Sequence, residues 1–263
     1  MITHDFFSLI KSKELQNVPM AITIGVFDGV HKGHEDILSF LNSYKAEHKD
    51  VKTMVITFNL NPKIKGQKFI DTLRLRKKYI SSFNTDFFTV IDFCEEISKI
   101  SGNEFIRLLC TMCRVKAVIV GEDFKCGTPT SQVTAKELDK EFASIGHTVD
   151  VFIRANVMND QVRISSTLIR ELIQKGDFDL IKKLSGRFYT IDLDNILEKG
   201  EKAIAASKIT QLLPPIGVYK AILTTKSGNN IDCKIQIKED SLLIEPPLND
   251  GEADYLSIIT KEL

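Results

Sequence analysis

Gly25-Val26-Phe27-Asp28-Gly29-Val30-His31-Lys32-Gly33-His34 is the stretch on which the fold turns. It joins an apolar segment, Val18 to Phe27, to a segment in which Ile37, Leu38 and Leu41 recur with helical spacing. The first predicts a strand with Pro19 near its start, the second a helix beginning around Gly33. The loop between them therefore lies at a helix N-terminus, where unpaired backbone N–H groups and the positive end of the helix dipole favour an anion. Glycines at 25, 29 and 33 let the backbone approach a polyphosphate with no Cβ in the way. His31 and His34, three residues apart, can turn to one side of the helix start. Each imidazole can donate to a phosphate oxygen on which charge builds during transfer. These residues predict a phosphate site.

Any anion site must be local, because the 35 basic residues balance the 35 acidic ones and the bulk charge points to neither a nucleic-acid partner nor a membrane surface. With 43% hydrophobic and 27% charged residues, the composition is that of an ordinary globular protein. Its 263 residues suffice for one large domain, or a medium and a small one. No apolar run approaches a membrane span and the N-terminus lacks the layout of a secretory signal, so a cytoplasmic location is expected. Five cysteines, an odd number, form no disulfide framework and suit a reducing compartment. Cys110 and Cys113 form a C-x-x-C, but among Phe105, Leu108, Leu109 and Met112 they read as core.

Up to about residue 186 the chain alternates between two periodicities. Strands are expected at Val51 to Phe58, Phe87 to Ile91, Ala117 to Gly121 and Thr148 to Arg154. Helices are expected at Thr72 to Ser82, Ser101 to Cys113, Thr134 to Ile145, Ser166 to Gln174 and Phe178 to Leu184, the second capped by Ser101 with Glu104 in capping-box position. Such a succession implies an α/β fold, a parallel sheet with helices on both faces, whose ligands bind beyond the carboxyl ends of the strands. After Gly186 the pattern changes. Asp192 to Ser207, rich in charge and alanine, reads as helix. Beyond Pro214-Pro215 come strands at Gly217 to Thr225, Asp232 to Ile237, Leu242 to Ile244 and Tyr255 to Thr260, with Ser227-Gly228-Asn229-Asn230 as a hairpin turn. Two domains are expected, 1–187 and a small β-rich 188–263.

Ile164-Ser165-Ser166-Thr167-Leu168-Ile169-Arg170 is the second stretch with phosphate chemistry. Hydroxyls at a helix start cap N–H groups, and Arg170 lies one turn past Thr167 on the same side, a donor set suited to a triphosphate. Val120-Gly121-Glu122-Asp123-Phe124-Lys125-Cys126-Gly127 ends a strand in a polar, aromatic loop, and Thr57-Phe58-Asn59-Leu60-Asn61-Pro62 ends another.

Together these stretches resemble prokaryotic FAD synthetases, usually the N-terminal half of a bifunctional riboflavin kinase/FMN adenylyltransferase. The H-x-G-H of His31 to His34 is similar to the signature of the nucleotidyltransferase superfamily, and Ile164 to Arg170 to the family's I-S-S-T-x-I-R. Val120 to Gly127 resembles V-G-x-D/N-F-x-F-G, with Cys126 for its Phe and Lys125 for its common Arg. Thr57 to Pro62 resembles T-F-x-P-H-P, with Leu60 and Asn61 for its first Pro and its His. Leu184-Ser185-Gly186-Arg187 is similar to the segment that links the family's two domains, Phe188 replacing a Pro.

The resemblance implies a Rossmann-like nucleotidyltransferase that makes FAD and pyrophosphate from FMN and ATP with Mg²⁺. It implies catalytic roles for His31, His34 and Arg170. ATP binding would fall to Gly25, Val26, Phe27, Asp28, Gly33, His34, Ser165, Ser166, Thr167 and Arg170. Flavin binding would fall to Phe58, Asn59, Asn61, Pro62, Asp123 and Phe124. Metal ligands and oligomeric state are not specified. Leu213-Pro214-Pro215-Ile216-Gly217-Val218-Tyr219 resembles the L-P-P-x-G-V-Y strand of riboflavin kinase modules, but their G-F-P-T-A-N is replaced by Glu201 to Ser207 and the region is short. Loss of riboflavin phosphorylation is therefore expected. The substitutions at Asn61 and Cys126 leave room for another phosphorylated acceptor, and the altered kinase half for a non-catalytic flavin- or nucleotide-binding protein.

Overall fold

A computed structural model of the chain describes residues 1–59, 68–196, 203–246 and 253–262. They divide by Cα packing into two units: 1–27, 33–67 and 77–157 form the first, and 28–32, 68–76 and 158–263 the second.

The first unit is built on one parallel sheet. In chain order its elements are β1 (Ile2–Asp5), α1 (Phe6–Ser12), β2 (Pro19–Ile24), α2 (Lys32–Glu47), β3 (Lys52–Phe58), α3 (Leu73–Ser81), β4 (Phe87–Ile91), α4 (Glu95–Lys99), α5 (Gly102–Met112), β5 (Arg114–Gly121), the short β6 (Lys125–Cys126) and β7 (Val133–Thr134), α6 (Leu138–Ser144) and β8 (Asp150–Arg154). Lys32 of α2 and the first four residues of α3 count with the second unit. Six strands order as β1-β4-β3-β2-β5-β8, every pair parallel. The chain moves outward from β2 through β3 to β4 and then returns to β5 on the other side of β2. The strand order thus reverses between β2 and β5, which opens a crevice at their carboxyl ends.

Continuous apolar runs made β2, β3 and β5 legible as strands buried on both faces. Met20, Ile22, Met54, Ile56, Val118 and Val120 join one core with Phe105, Ile106, Leu109 and Phe142 from the helices. Ser101 caps α5 in a full capping box with Glu104. The C-x-x-C belongs to this core: Cys113 is buried, Cys110 packs against it, and burial pushes their thiols up to about 12 and 11. The expected helix over 134–145 begins one turn later, because Val133 and Thr134 pair with β6 and a 3-10 turn intervenes. β1 and α1 have no counterpart in the sequence reading.

The second unit comprises β9 (Met158–Asn159), β10 (Val162–Arg163), α7 (Ser166–Lys175), α8 (Phe178–Ser185), β11 (Tyr189–Asp192), β12 (Ala203–Ala205), β13 (Gly217–Thr225), β14 (Asn230–Ile237), β15 (Ser241–Glu245) and β16 (Ala253–Lys261). Its six-stranded sheet runs β11-β16-β13-β14-β15-β12, all antiparallel. Gly228, with φ 87°, closes the expected turn between β13 and β14. Left-handed Gly176 and Gly186 end α7 and α8, and Asp177 caps α8. The Phe178 ring lies edge-on to Tyr219 and stacked on Tyr189, at 5.7 and 6.3 Å between centroids.

One expectation is overturned. The described parts of 192–207 form the end of β11, β12 and a 3-10 turn, not a helix. Ile191 and Ile204 are fully buried, and pairing with β16 and β15 outweighs the helical preference of alanine and charged residues. Among the described residues no helix is long and apolar enough to cross a membrane.

Candidate functional site

The first unit gathers site residues at the carboxyl edge of its sheet, where β3, β2 and β5 lie side by side. Leaving β2, the Gly25 N–H donates to the Ile56 carbonyl at 3.1 Å, and the Val26 carbonyl accepts from Thr57 Oγ1 at 3.0 Å. The exits of β2 and β3 are thereby tied together. Phe27 has φ 52°, which folds its buried ring back over Gly25; a Cβ there would stand 3.2 Å from the ring. The Phe27 and His34 rings lie 5.1 Å apart and tilted, so the aromatic side chain bears directly on the imidazole. Gly33 lies in the first turn of α2.

Beyond β3, Phe58 is half-buried and meets Phe93 edge-on. The Asn59 side chain accepts from the Phe93 N–H at 3.0 Å and donates to Asp92, so it binds the β3 exit to the β4 exit. Beyond β5, Asp123 is exposed and Phe124 half-buried. Phe124 is held by a 3.0 Å bond from its N–H to the Gly121 carbonyl. A Cβ on Gly121 would stand 3.2 Å from Asp123 Oδ1. Cys126 is half-buried, and burial pushes its thiol up to about 12. Asn61 and Pro62 lie outside the described residues.

The second unit holds the other named residues: Asp28, His31, Ser165, Ser166, Thr167 and Arg170. Ser165 caps α7, its hydroxyl accepting from the Leu168 N–H at 3.2 Å. Ser166 Oγ donates to the Asp28 carbonyl at 2.7 Å. Thr167 is exposed and His31 buried. Arg170 is not a solvated helix residue. It is 7% exposed, and its guanidinium donates to Asp28 Oδ2 and to the Lys68 carbonyl, each at 2.5 Å.

Asp28 is the hub of this half. Its Oδ1 accepts from the N–H groups of Ile70 and Asp71 at 2.9 and 3.0 Å. Burial pushes its carboxyl up, against the pull of the Asp71 N–H, Arg170 and Arg76. Asp71 is also buried; burial raises it to about 6, against the pull of Arg187. Burial lowers the guanidinium of Arg76, which the charges of Asp28 and Asp71 oppose. The guanidinium groups of Arg170, Arg187 and Arg76 thus gather around the carboxylates of Asp28 and Asp71.

Sequence reasoning missed Asp71 and Arg76 and assigned Arg187 no role. Asp71 and Arg76 stand in an ordinary helix-start segment, and Asp71's hydrogen-bond partners Asp28 and Arg187 lie 43 and 116 residues away. Among the described residues no group of three or more His, Cys, Asp or Glu could hold a metal ion.

A sequence model of the FAD synthetase family matches residues 13–168. A bifunctional riboflavin kinase/FMN adenylyltransferase of Buchnera aphidicola (subsp. Schizaphis graminum) is 32% identical over 66% of this chain, and the match spans 57% of that relative's length. The protein of the same name from Bacillus subtilis is 28% identical over 90% of this chain and 77% of its own length. Among solved structures, a macrolide-efflux protein from Streptococcus pneumoniae superposes with a TM-score of 0.77 over 94% of this chain and all of its own, at 19% identity, a likeness of fold alone. The family match runs from before β2 to the first turn of α7 and so takes in the glycine-histidine loop, the exits of β3 and β5, and the Ser165 cap; the chain belongs to the FAD synthetase family.

Proposed function

We propose that this chain is an FMN adenylyltransferase that joins the AMP portion of ATP to the phosphate of FMN, releasing pyrophosphate and forming FAD. The observation that carries the reading is the glycine-histidine segment leaving β2 beside the point where the strand order of the parallel sheet reverses. The arginines gathered around Asp28 suit a polyphosphate substrate.

The FMN phosphate attacks the α-phosphorus of ATP in line, and the bond to the β-phosphate oxygen breaks. The acceptor is already anionic, so no side-chain nucleophile or base is required. His31 and His34 donate to the transferring phosphoryl group as charge builds on it. Ser165, Ser166, Thr167 and Arg170 hold the departing pyrophosphate. Phe58, Asn59, Asp123 and Phe124, with Asn61 and Pro62, serve the flavin. Mg²⁺, brought by ATP, would offset the charge of its phosphates, a role this ion usually takes with few protein ligands.

The 188–263 region is proposed as a reduced relative of the riboflavin kinase module, without kinase activity. In support, its sheet begins at Tyr189, and Ala203 to Ser207 occupy β12 and a turn in place of the G-F-P-T-A-N sequence. A cytoplasmic setting fits five cysteines that are all unpaired.

Chromatography of products from ATP and Mg²⁺ with FMN, or with riboflavin, tests the proposal. FAD from FMN alone is expected. FAD or FMN from riboflavin would overturn the loss of kinase activity. No product from either, with no quenching of FMN fluorescence on titration, would sink the flavin reading and favour another phosphorylated acceptor.

A further inference from the structure

Residues 27–30 adopt a backbone that does not hold itself. Phe27, Gly29 and Val30 have φ of 52°, 82° and 22°, and for a buried aromatic and a β-branched residue this left-handed region is unfavourable. Such a conformation persists only where its surroundings impose it. At Gly29 the space is also set: a Cβ would stand 3.1 Å from Ile70 Cδ1.

Three successive carbonyls, those of Asp28, Gly29 and Val30, are each taken by a donor from later in the chain. Ser166 takes the first. Arg187 takes the other two, Nη2 donating to Gly29 at 2.7 Å and Nη1 to Val30 at 2.8 Å. In a planar trans peptide the N–H points opposite to the C=O. A guanidinium that holds the Gly29 and Val30 carbonyls on one side therefore turns the Val30 and His31 N–H groups to the other. Successive N–H groups turned one way form an anion-binding concavity. Arg187 is itself fixed, donating at 3.0 Å to Asp71 Oδ2 and to the Ser185 carbonyl. Asp71 in turn presents its N–H to Asp28, and the adjacent Ile70 carbonyl accepts from Gln211 at 2.7 Å.

We propose that Arg187, braced by Asp71, is a positioning residue for adenylyl transfer: it fixes the peptide planes leading into His31 without touching substrate. The proposal rests on the adenylyltransferase reading for its chemistry, though not for its structural content. Arg187 stands between α8 and β11, so the segment joining the two sequence regions shapes the phosphate loop.

The test uses the full chain with Arg187→Ala, Arg187→Lys and Asp71→Asn. Amide hydrogen exchange of residues 28–31, read by mass spectrometry, is expected to quicken about tenfold or more in Arg187→Ala while β3 is unchanged, as in local opening. In FAD formation kcat should fall about 10- to 100-fold with KM for FMN unchanged. Lys should restore little, since one ammonium replaces a planar fork, whereas Asp71→Asn, which still accepts from Arg187, should fall between. Wild-type exchange and kcat in Arg187→Ala would overturn the proposal. If Arg187→Ala does not fold, Arg187→Lys decides in the same way. Wild-type protein that makes no FAD would defeat the functional reading, and exchange in the variants would still judge the positioning role.

Discussion

Asp28 and Arg170, 142 residues apart in sequence, form a buried ion pair at 2.5 Å, and the same carboxylate takes two backbone N–H groups. Removing one partner strands the other charge out of water, a loss of about 3–5 kcal/mol for buried pairs. Asp28→Ala should lower unfolding stability by that order in urea titration. Arg170→Ala should do the same, and the double variant should lose less than the sum. Additive losses would mean that the two residues stabilise the fold independently.

His31→Ala and His34→Ala are expected to lower kcat for FAD formation about 100-fold or more, as for other donors to a charged transition state, while changing FMN affinity little. Stopped assays at saturating ATP, with flavin fluorescence titration in parallel, check this. Equal loss in binding and turnover would assign the imidazoles to ground-state binding instead.

The Asp71 carboxyl, raised from 3.8 to about 6 by burial, gives stability a pH dependence of definite sign. Between about pH 4 and 6 the native state keeps a proton that the unfolded chain has lost. Stability from this group is therefore fully present at low pH and falls as pH rises to about 6, by up to about 3 kcal/mol. Arg187, Arg76 and Asp28 are the charged groups around it, and none of the arginines titrates in this window. Asp71→Asn should remove the slope, so wild-type stability minus variant stability should decline from pH 4 to 6. A flat difference would place the Asp71 carboxyl at its ordinary value.

Gly127 has φ 89°, and a Cβ there would stand 2.1 Å from the Gly102 nitrogen at the start of α5. Backbone has to move to admit it. Gly127→Ala should cost about 2 kcal/mol or more, lowering Tm by roughly 4–8 °C in a chain of this size. Gly146, with φ 82° and nothing within 4 Å of an added Cβ, is the control; its Ala variant should lose only about 1 kcal/mol. Equal shifts in calorimetry would show that backbone conformation, not the approach of α5, sets the cost at Gly127.

Much of the candidate site was legible because it is written locally. The Ser165 cap and the Ser101–Glu104 capping box act within three residues, and the apolar runs of β2, β3 and β5 encode burial on both faces. The described parts of 192–207 misled for the complementary reason: their helical preference is local, while the pairing of β11 with β16 and of β12 with β15 is not.

By itself the sequence determined the strand-loop-helix course around His31 and His34, the α/β alternation and the family, since periodicity, caps and glycine positions depend on near neighbours. Only the tertiary structure decided that Arg170 turns inward to Asp28 and that Arg187 grips Gly29 and Val30. Long charged side chains carry no sign of their destination, because a buried guanidinium is stable only beside partners that folding brings from more than a hundred residues away.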